Sequence, residues 1–467
     1  MAQPSLPATP LDDADALCRL SATELLALYE KRELSPVDVT RAALARAEVV
    51  QDRFNAFVRI DHETALAAAA ESEARWHDGN PIGQLDGIPT TIKDIVYVKD
   101  SLAQYGSRSP GVTSPADAPS VALLRQAGAV FLGLTTTPEF GWKALTDGPL
   151  TGITRNPWNP DLTPGGSSGG AAVAAATGAG ALHLGTDGGG SIRVPAAFTG
   201  IVGHKPTFSR VPAYPASAFG TVAHIGPMTR TVADAQLMLQ VMSGRDLRDW
   251  FQNPLSFSPA DAAPPTDLKG MIFGVWRTPP SGYVDPEIAA AFERALARLA
   301  AAGVELVPVD LPVDENLLDL FHRHWFAGAA ARLSALSEAD LANVDPGLRQ
   351  IAAQGAEYSA VDLIKAHGRR AAFGAAFDML LDGFDAIISP ACSVLPFTAG
   401  EEVPLGSGLG RWTEWAGFSY PVNLAQAPAA IIRSEILPNG LPVGLQVIGP
   451  RGEDGDVLSI AAAIEAL

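Results

Sequence analysis

Lys93 in GIPTTIKD, Ser167 in GGSSGG and Ser191 in GTDGGGSIRVP are the residues whose types and settings could carry chemistry. A serine hydroxyl attacks a carbonyl when a base within hydrogen-bond reach takes its proton and backbone N–H groups receive the oxyanion that forms. Gly188, Gly189 and Gly190 stand immediately before Ser191. Lacking Cβ atoms, they tolerate positive φ and let a ligand approach the main chain, so the run is expected to form an oxyanion hole. Together these residues point to hydrolysis.

Lys93 is a base only if its amine is neutral, and an unperturbed lysine titrates at about 10.4. Bringing that value down towards neutrality disfavours the charged form by ~4 kcal/mol, which burial can supply. Ile92, Ile95 and Val96 provide apolar surroundings. Taken alone, Lys93 beside Asp94 reads as an ordinary surface ion pair; the serine motifs give it the role of base. GGSSGG also satisfies GxSxG, the strand-to-helix turn that presents a nucleophile in α/β-hydrolases. The preceding NPWNPDLTP holds three prolines, which a central strand does not accommodate, so that context is absent. The AAVAAATGAG that follows makes the segment a helix start rather than a linker.

Composition bounds the alternatives. The chain has 467 residues, of which 47% are hydrophobic and 18% charged, as in an ordinary globular protein able to bury a large core. A net charge of −18 opposes binding to nucleic acid, whose affinity comes from clustered Lys and Arg. Two cysteines, Cys18 and Cys392, are too few for a disulfide framework or a multi-cysteine zinc site. MAQPSLPATPLDDADALCRL has no basic region followed by an apolar one, so cytoplasmic residence is expected. The stretch from Ala171, AAVAAATGAGALHLG, lacks the ~20 strongly apolar residues of a membrane span and is expected in the core.

These residues must be positioned by elements that alternate between helical and extended patterns, which favours an α/β class with a mixed sheet flanked by helices. Ser21 with Glu24 makes a capping-box start, and Ser35 before Pro36 starts another helix. Residues 121–126 read as a helix stopping near Gly128, and 129–134 as a strand. Residues 271–276, 285–302 and 304–309 read as strand, amphipathic helix and strand, a parallel unit. Residues 360–381 read as helix and 384–389 as extended, and Asn439-Gly440 turns 429–437 back along 443–448. Residues 253–266 and 399–410 are expected as surface loops. An N-terminal helical segment, 1–70, is expected to pack on an α/β domain, 71–467, as one unit.

TPGGSSGGAAVA, GTDGGGSIRVPA and GHKPTFSRVP, with GIPTTIKD before them and GPMTRTVADA and LPVGLQVIGP after, resemble the amidase signature family of serine hydrolases. Ser167 and Ser191 are 24 residues apart, which equals that family's spacing between its paired serines. The resemblance runs from about Leu85 to the C-terminus and is weakest in the middle third. It implies the amidase signature fold, with one large mixed sheet as its core. It also implies a relay in which Ser191 attacks, Ser167 passes the proton through a residue with a cis peptide bond, and neutral Lys93 accepts it. The oxyanion donors would be the amides of Gly188, Gly189, Gly190 and Ser191, and water would resolve the acyl-enzyme. Ser168 is expected to order the loop, and Asp187 and Arg193 to brace the site.

Members of that family variously hydrolyse fatty, aryl and short dicarboxylic amides, esters and carbamates, so the pocket decides the substrate. Phe140, Trp142, Phe219, Trp412 and Trp415 are the candidates to line it, pointing to an uncharged apolar or aryl amide, with esters and carbamates as secondary substrates. The expected partner is that small molecule, with no nucleic acid, membrane, cofactor or metal; a homodimer is compatible with the sequence. The same resemblance admits the glutaminase subunit of a tRNA-dependent amidotransferase. A nucleotide-binding module is set aside because no GxxxxGK[ST] or GxGxxG follows an expected strand; a silent binding protein on this scaffold would leave Ser191 unlabelled by serine reagents. His183, His204 and His224 lack metal-site spacing and are expected to pack, as is a buried Cys392 thiol.

Overall fold

A computed structural model describes residues 10–11, 15–252, 267–312 and 316–467; the loop expected over 253–266 lies outside them. Eleven strands form one mixed sheet. Across it run Phe57–Ile60, Val130–Thr135, Pro89–Lys93, Leu182–Asp187, His224–Thr229, Val202–Lys205, Ala429–Ile436, Pro442–Ile448, Ala386–Pro390, Ile272–Trp276 and Glu305–Val309. Pro89–Lys93 is parallel to both its neighbours, and Ile272–Trp276 is parallel to Glu305–Val309 and Ala386–Pro390.

Successive strand side chains point to opposite faces, and both faces of the sheet are covered. Ile387 and Ile431 join a core that includes the helices Gly169–Thr177, Arg193–Thr199 and Leu317–Leu333. Their neighbours Ile388 and Ile432 join the opposite core, with the helices Pro119–Gln126, Val232–Met242 and Pro286–Ala301. Pro286–Ala301 shows the logic of these helices. Asp285 caps it, Pro286 occupies its first turn, and Ile288, Phe292, Leu296 and Leu299 form one buried stripe, each contributing about 1.5–3 kcal/mol by burial. Gly169–Thr177 is instead buried all round, and its Ala and Gly side chains are small enough for close packing on every side.

Most local expectations stand. Ser21 and Glu24 form the reciprocal capping box, Ser35 accepts from Val37 N–H at the start of Pro36–Phe54, and Ala360–Leu381 is a helix. The hairpin Ala429–Ile436 with Pro442–Ile448 is antiparallel and turns at Gly440, whose φ is 83°. The N-terminal segment differs from the reading of it as helical, because Phe57–Ile60 is an edge strand paired with Val130–Thr135. Helix His62–His77 also runs across the boundary expected at residue 70. Among the described residues, no helix is long and apolar enough to cross a membrane.

Candidate active site

Parallel pairing sets the floor of the site. Ile92 is level with Leu184, so Lys93, the last residue of its strand, stands beside the carboxyl end of Leu182–Asp187. Open α/β sheets bind ligands at such ends. The chain leaves that strand through Gly188–Gly190 to Ser191, while Ser167 and Ser168 sit at the start of Gly169–Thr177. Ser168 N–H donates to Ser191 O at 3.1 Å, joining the two loops. Thr146 Oγ1 donates to Gly165 O and accepts from Gly169 N–H, fixing the turn between. The Gly166–Ser167 peptide is cis.

Lys93 is fully buried, and its Nζ lies 2.6 Å from Ser167 Oγ, 2.9 Å from Ser168 Oγ and 3.0 Å from Thr186 Oγ1. Burial pushes its amine well below the ordinary lysine range, against an opposing pull from Asp187. A neutral amine has two N–H donors and one lone pair. Ser168 spends its own hydroxyl proton on Thr186 O, at 3.1 Å, so towards Lys93 it can only accept. With the second N–H given to Thr186, the lone pair is left for the Ser167 proton. Asp94, which the sequence offered as an ion-pair partner, is turned away and accepts from Gln104 N–H and Gly106 N–H at 3.2 and 3.1 Å. The chain turns directly after Lys93, with Ile95 N–H and Val96 N–H donating back to Lys93 O, and this turn carries Asp94 away from the amine. Thr186 was not among the expected site residues; the signal for it was a hydroxyl one position before Asp187 in the same motif.

Asp187 and Arg193 pair with each other beneath the loop. Both are fully buried, and Arg193 Nε and Nη2 donate to Asp187 at 3.0 and 3.1 Å. Burial pushes the Asp187 carboxyl up, but Arg193, Lys205 and the Asn423 amide together prevail and hold it below the usual carboxylate range. It also accepts from Gly190 N–H at 2.8 Å and Ile192 N–H at 3.1 Å. This sets Gly190 apart from the expectation, since its amide already donates to Asp187. The amides of Gly188, Gly189 and Ser191 remain as candidates. Gly190 has the positive φ expected of the run, 125°, whereas at Gly188 and Gly189 space is the constraint: a Cβ on Gly188 would strike the Trp325 ring at 2.7 Å, and one on Gly189 would strike Phe321 at 2.7 Å and Trp412 at 3.0 Å. The space that a Cβ would need is filled by these aromatic rings.

Ser167, Ser191, Gly188, Asp187 and Thr186 line one cavity of ≈ 390 Å³, with Phe140 and Phe219 on its walls. Among the described residues no hydrogen bond joins Ser167 Oγ to Ser191 Oγ, although both open on this space. A larger depression, ≈ 590 Å³, lies among the N-terminal helices and is lined by none of the three residues Lys93, Ser167 and Ser191. Trp142, Trp412 and Trp415 are corrected: they are buried behind the wall and do not line the cavity. Trp415 Nε1 donates to Glu402 O and Trp412 N–H to Glu402 Oε1, so their segment folds inward. In their place stand Tyr97, Tyr105, Trp325 and Arg332. Trp325 stacks on Phe219 with centroids 3.9 Å apart. His224 also lines the cavity; His183 and His204 do not. Cys392 is buried, and burial pushes its thiol well up. Among the described residues, no group of three or more His, Cys, Asp or Glu is placed to hold a metal.

The Amidase family model matches residues 38–458. The chain belongs to the amidase signature family. It is 34% identical to an acylamidase of Rhodococcus erythropolis, covering 96% of this chain and 95% of that one. Identity is also 34% to a glutamyl-tRNA(Gln) amidotransferase subunit of Myxococcus xanthus, covering 96% and 97%. A solved bacterial aryl acylamidase of the amidase signature family superposes with a TM-score of 0.88 at 28% identity, covering 96% of both chains. Like other amidase signature enzymes, the protein is a hydrolase acting on amide C–N bonds, built on the mixed sheet described above.

Proposed function

We propose that Ser191 is the nucleophile, that Ser167 relays its proton to neutral Lys93, and that the substrate is a small amide with an aryl or apolar body. The observation that carries this reading is the buried Lys93 amine, ringed by three hydroxyls beside the cavity that Ser191 shares. As a carbonyl enters, Ser191 Oγ turns onto Ser167 and bonds to the carbonyl carbon. Its proton passes to Ser167 Oγ, and the Ser167 proton passes to the Lys93 lone pair. The amides of Gly188, Gly189 and Ser191 receive the oxyanion. The C–N bond then breaks, the leaving amine takes the proton back through Ser167, and water repeats the sequence on the ester. Esters and carbamates fit the same route as secondary substrates, since each presents a carbonyl to the same donors.

The rings of Tyr105, Phe140, Phe219 and Trp325 in the cavity support an aryl or apolar body, as does the likeness to acylamidases. The likeness to the Myxococcus xanthus amidotransferase protein favours a second reading, a glutaminase working with partner subunits. Free glutamine carries an α-ammonium as well as an α-carboxylate; Arg332 in the lining could receive the carboxylate, but Asp187 is already taken by Arg193, which leaves the ammonium without a carboxylate among the lining residues and supports the first reading. Treatment with a fluorophosphonate followed by peptide mapping is expected to find the label on Ser191, and label elsewhere rejects the scheme. Glutamine hydrolysis that appears only when partner subunits are added would favour the second reading.

A further inference from the structure

Arg332 lies in the last turn of Leu317–Leu333, half-buried, and lines the cavity that holds Ser167 and Ser191. Its guanidinium sits over the Phe140 ring at 4.4 Å and the Tyr105 ring at 4.7 Å. Both rings are held in place. Phe140 N–H donates to Tyr105 O at 2.7 Å, and Asp94 accepts the amides of Gln104 and Gly106 on either side of Tyr105. This shelf covers a face of the guanidinium and leaves its N–H edge unspent, since among the described residues Arg332 makes no hydrogen bond or ion pair. Such an edge is a planar fork that matches a carboxylate in two parallel hydrogen bonds. The other charged group lining the cavity, Asp187, is neutralised by Arg193. The cavity therefore presents one uncompensated positive charge in a protein of net charge −18.

We propose that Arg332 selects amides whose aryl or apolar body carries a carboxylate, with the body against the Tyr105 and Phe140 rings and the acid on the guanidinium. This deepens the function proposed above and rests on it. It also replaces the expectation of an uncharged substrate, which rested on Phe140, Trp142, Phe219, Trp412 and Trp415, of which Phe140 and Phe219 alone line the cavity. A cation that only balanced the negative end of its helix would show no such selectivity.

The test uses two matched pairs of amides on the full chain: succinanilate against butyranilide, and 4-acetamidobenzoate against 4-methylacetanilide. The wild type is expected to favour the carboxylate member of at least one pair. Arg332→Gln should raise the KM for that member about tenfold to a hundredfold, the range of a charge-assisted hydrogen bond, and leave its neutral partner within about twofold. Arg332→Lys should recover part of the preference. Equal losses on both members of each pair, or an unchanged preference, would overturn the proposal. Calorimetric binding of the carboxylate members to Ser191→Ala, with and without Arg332→Gln, reads the same contact without turnover. Failure of Ser191 to take a serine-directed label would sink the relay while leaving this binding measurement standing on its own.

Discussion

Two lysines end two strands of the same sheet, and both are fully buried: Lys93 closes Pro89–Lys93 and Lys205 closes Val202–Lys205. Burial is the first cause that drives both amines well below the ordinary lysine range. Their partners differ. Lys93 Nζ meets three hydroxyls, two of which, Ser167 and Thr186, line the cavity. Lys205 Nζ donates to two backbone carbonyls, Pro206 O at 3.0 Å and Ala427 O. A carbonyl only accepts, so it can fix an amine but cannot pass it a proton; a hydroxyl can do both. A lowered lysine pKa is therefore no sign of a base by itself, and the neighbours decide whether the neutral amine works or merely ties strands together.

The comparison breaks most sharply under substitution. Lys93→Ala is expected to lower kcat about 10²–10⁴-fold, the range of general acid–base catalysis, while circular dichroism reports a folded chain. Unchanged turnover would remove Lys93 from the chemistry. Next comes pH. Protonation fills the Lys93 lone pair, so kcat/KM should fall about tenfold per pH unit below the lysine's lowered pKa and reach a plateau above it. Stability has the same sign: between the folded and unfolded pKa values the unfolded state binds more protons, so stability rises with pH across that window. Both lysines add to this stability trend, but only Lys93 is expected to set the acid limb of activity. Lys205→Met should flatten the first and leave the second in place; a shifted acid limb would contradict the contrast. The smallest expected change is in turnover of Lys205→Met. Its kcat should stay within about tenfold, short of the general-base range. The substitution should appear instead as a lower denaturation midpoint, because two carbonyls lose their donor at ~1–3 kcal/mol.

Local signals in the chain are legible where short-range physics decides. Ser21 and Glu24, Ser35 and Pro36, and Asn439-Gly440 mark their helix starts and turn because caps and tight turns are settled within four residues. Phe57–Ile60 is not legible, because its four residues are too few for a period of two to declare itself. The catalytic candidates stand out as types in motifs, but their wiring does not. Gly190 looks like its neighbours in GTDGGGS, and only the Asp187 carboxylate beneath it shows that its amide is spent. Trp412 and Trp415, in a glycine-rich stretch, read as pocket walls, yet hydrogen bonds to Glu402 turn them into the core. Arg332, Tyr105 and Trp325 carry no motif at all, because a cavity wall gathers residues from distant segments and no local pattern requires them there.

By itself the sequence determined the class of chemistry, a lysine and two serines in glycine-rich turns, and the α/β alternation that would hold them, since both follow from residue type and short spacing. Only the tertiary structure decided which hydroxyls surround the amine, which amides stay free for an oxyanion, and which side chains face the substrate. Those are distances between strands and helices far apart in the chain. They are set by parallel register and by packing on both faces of one sheet.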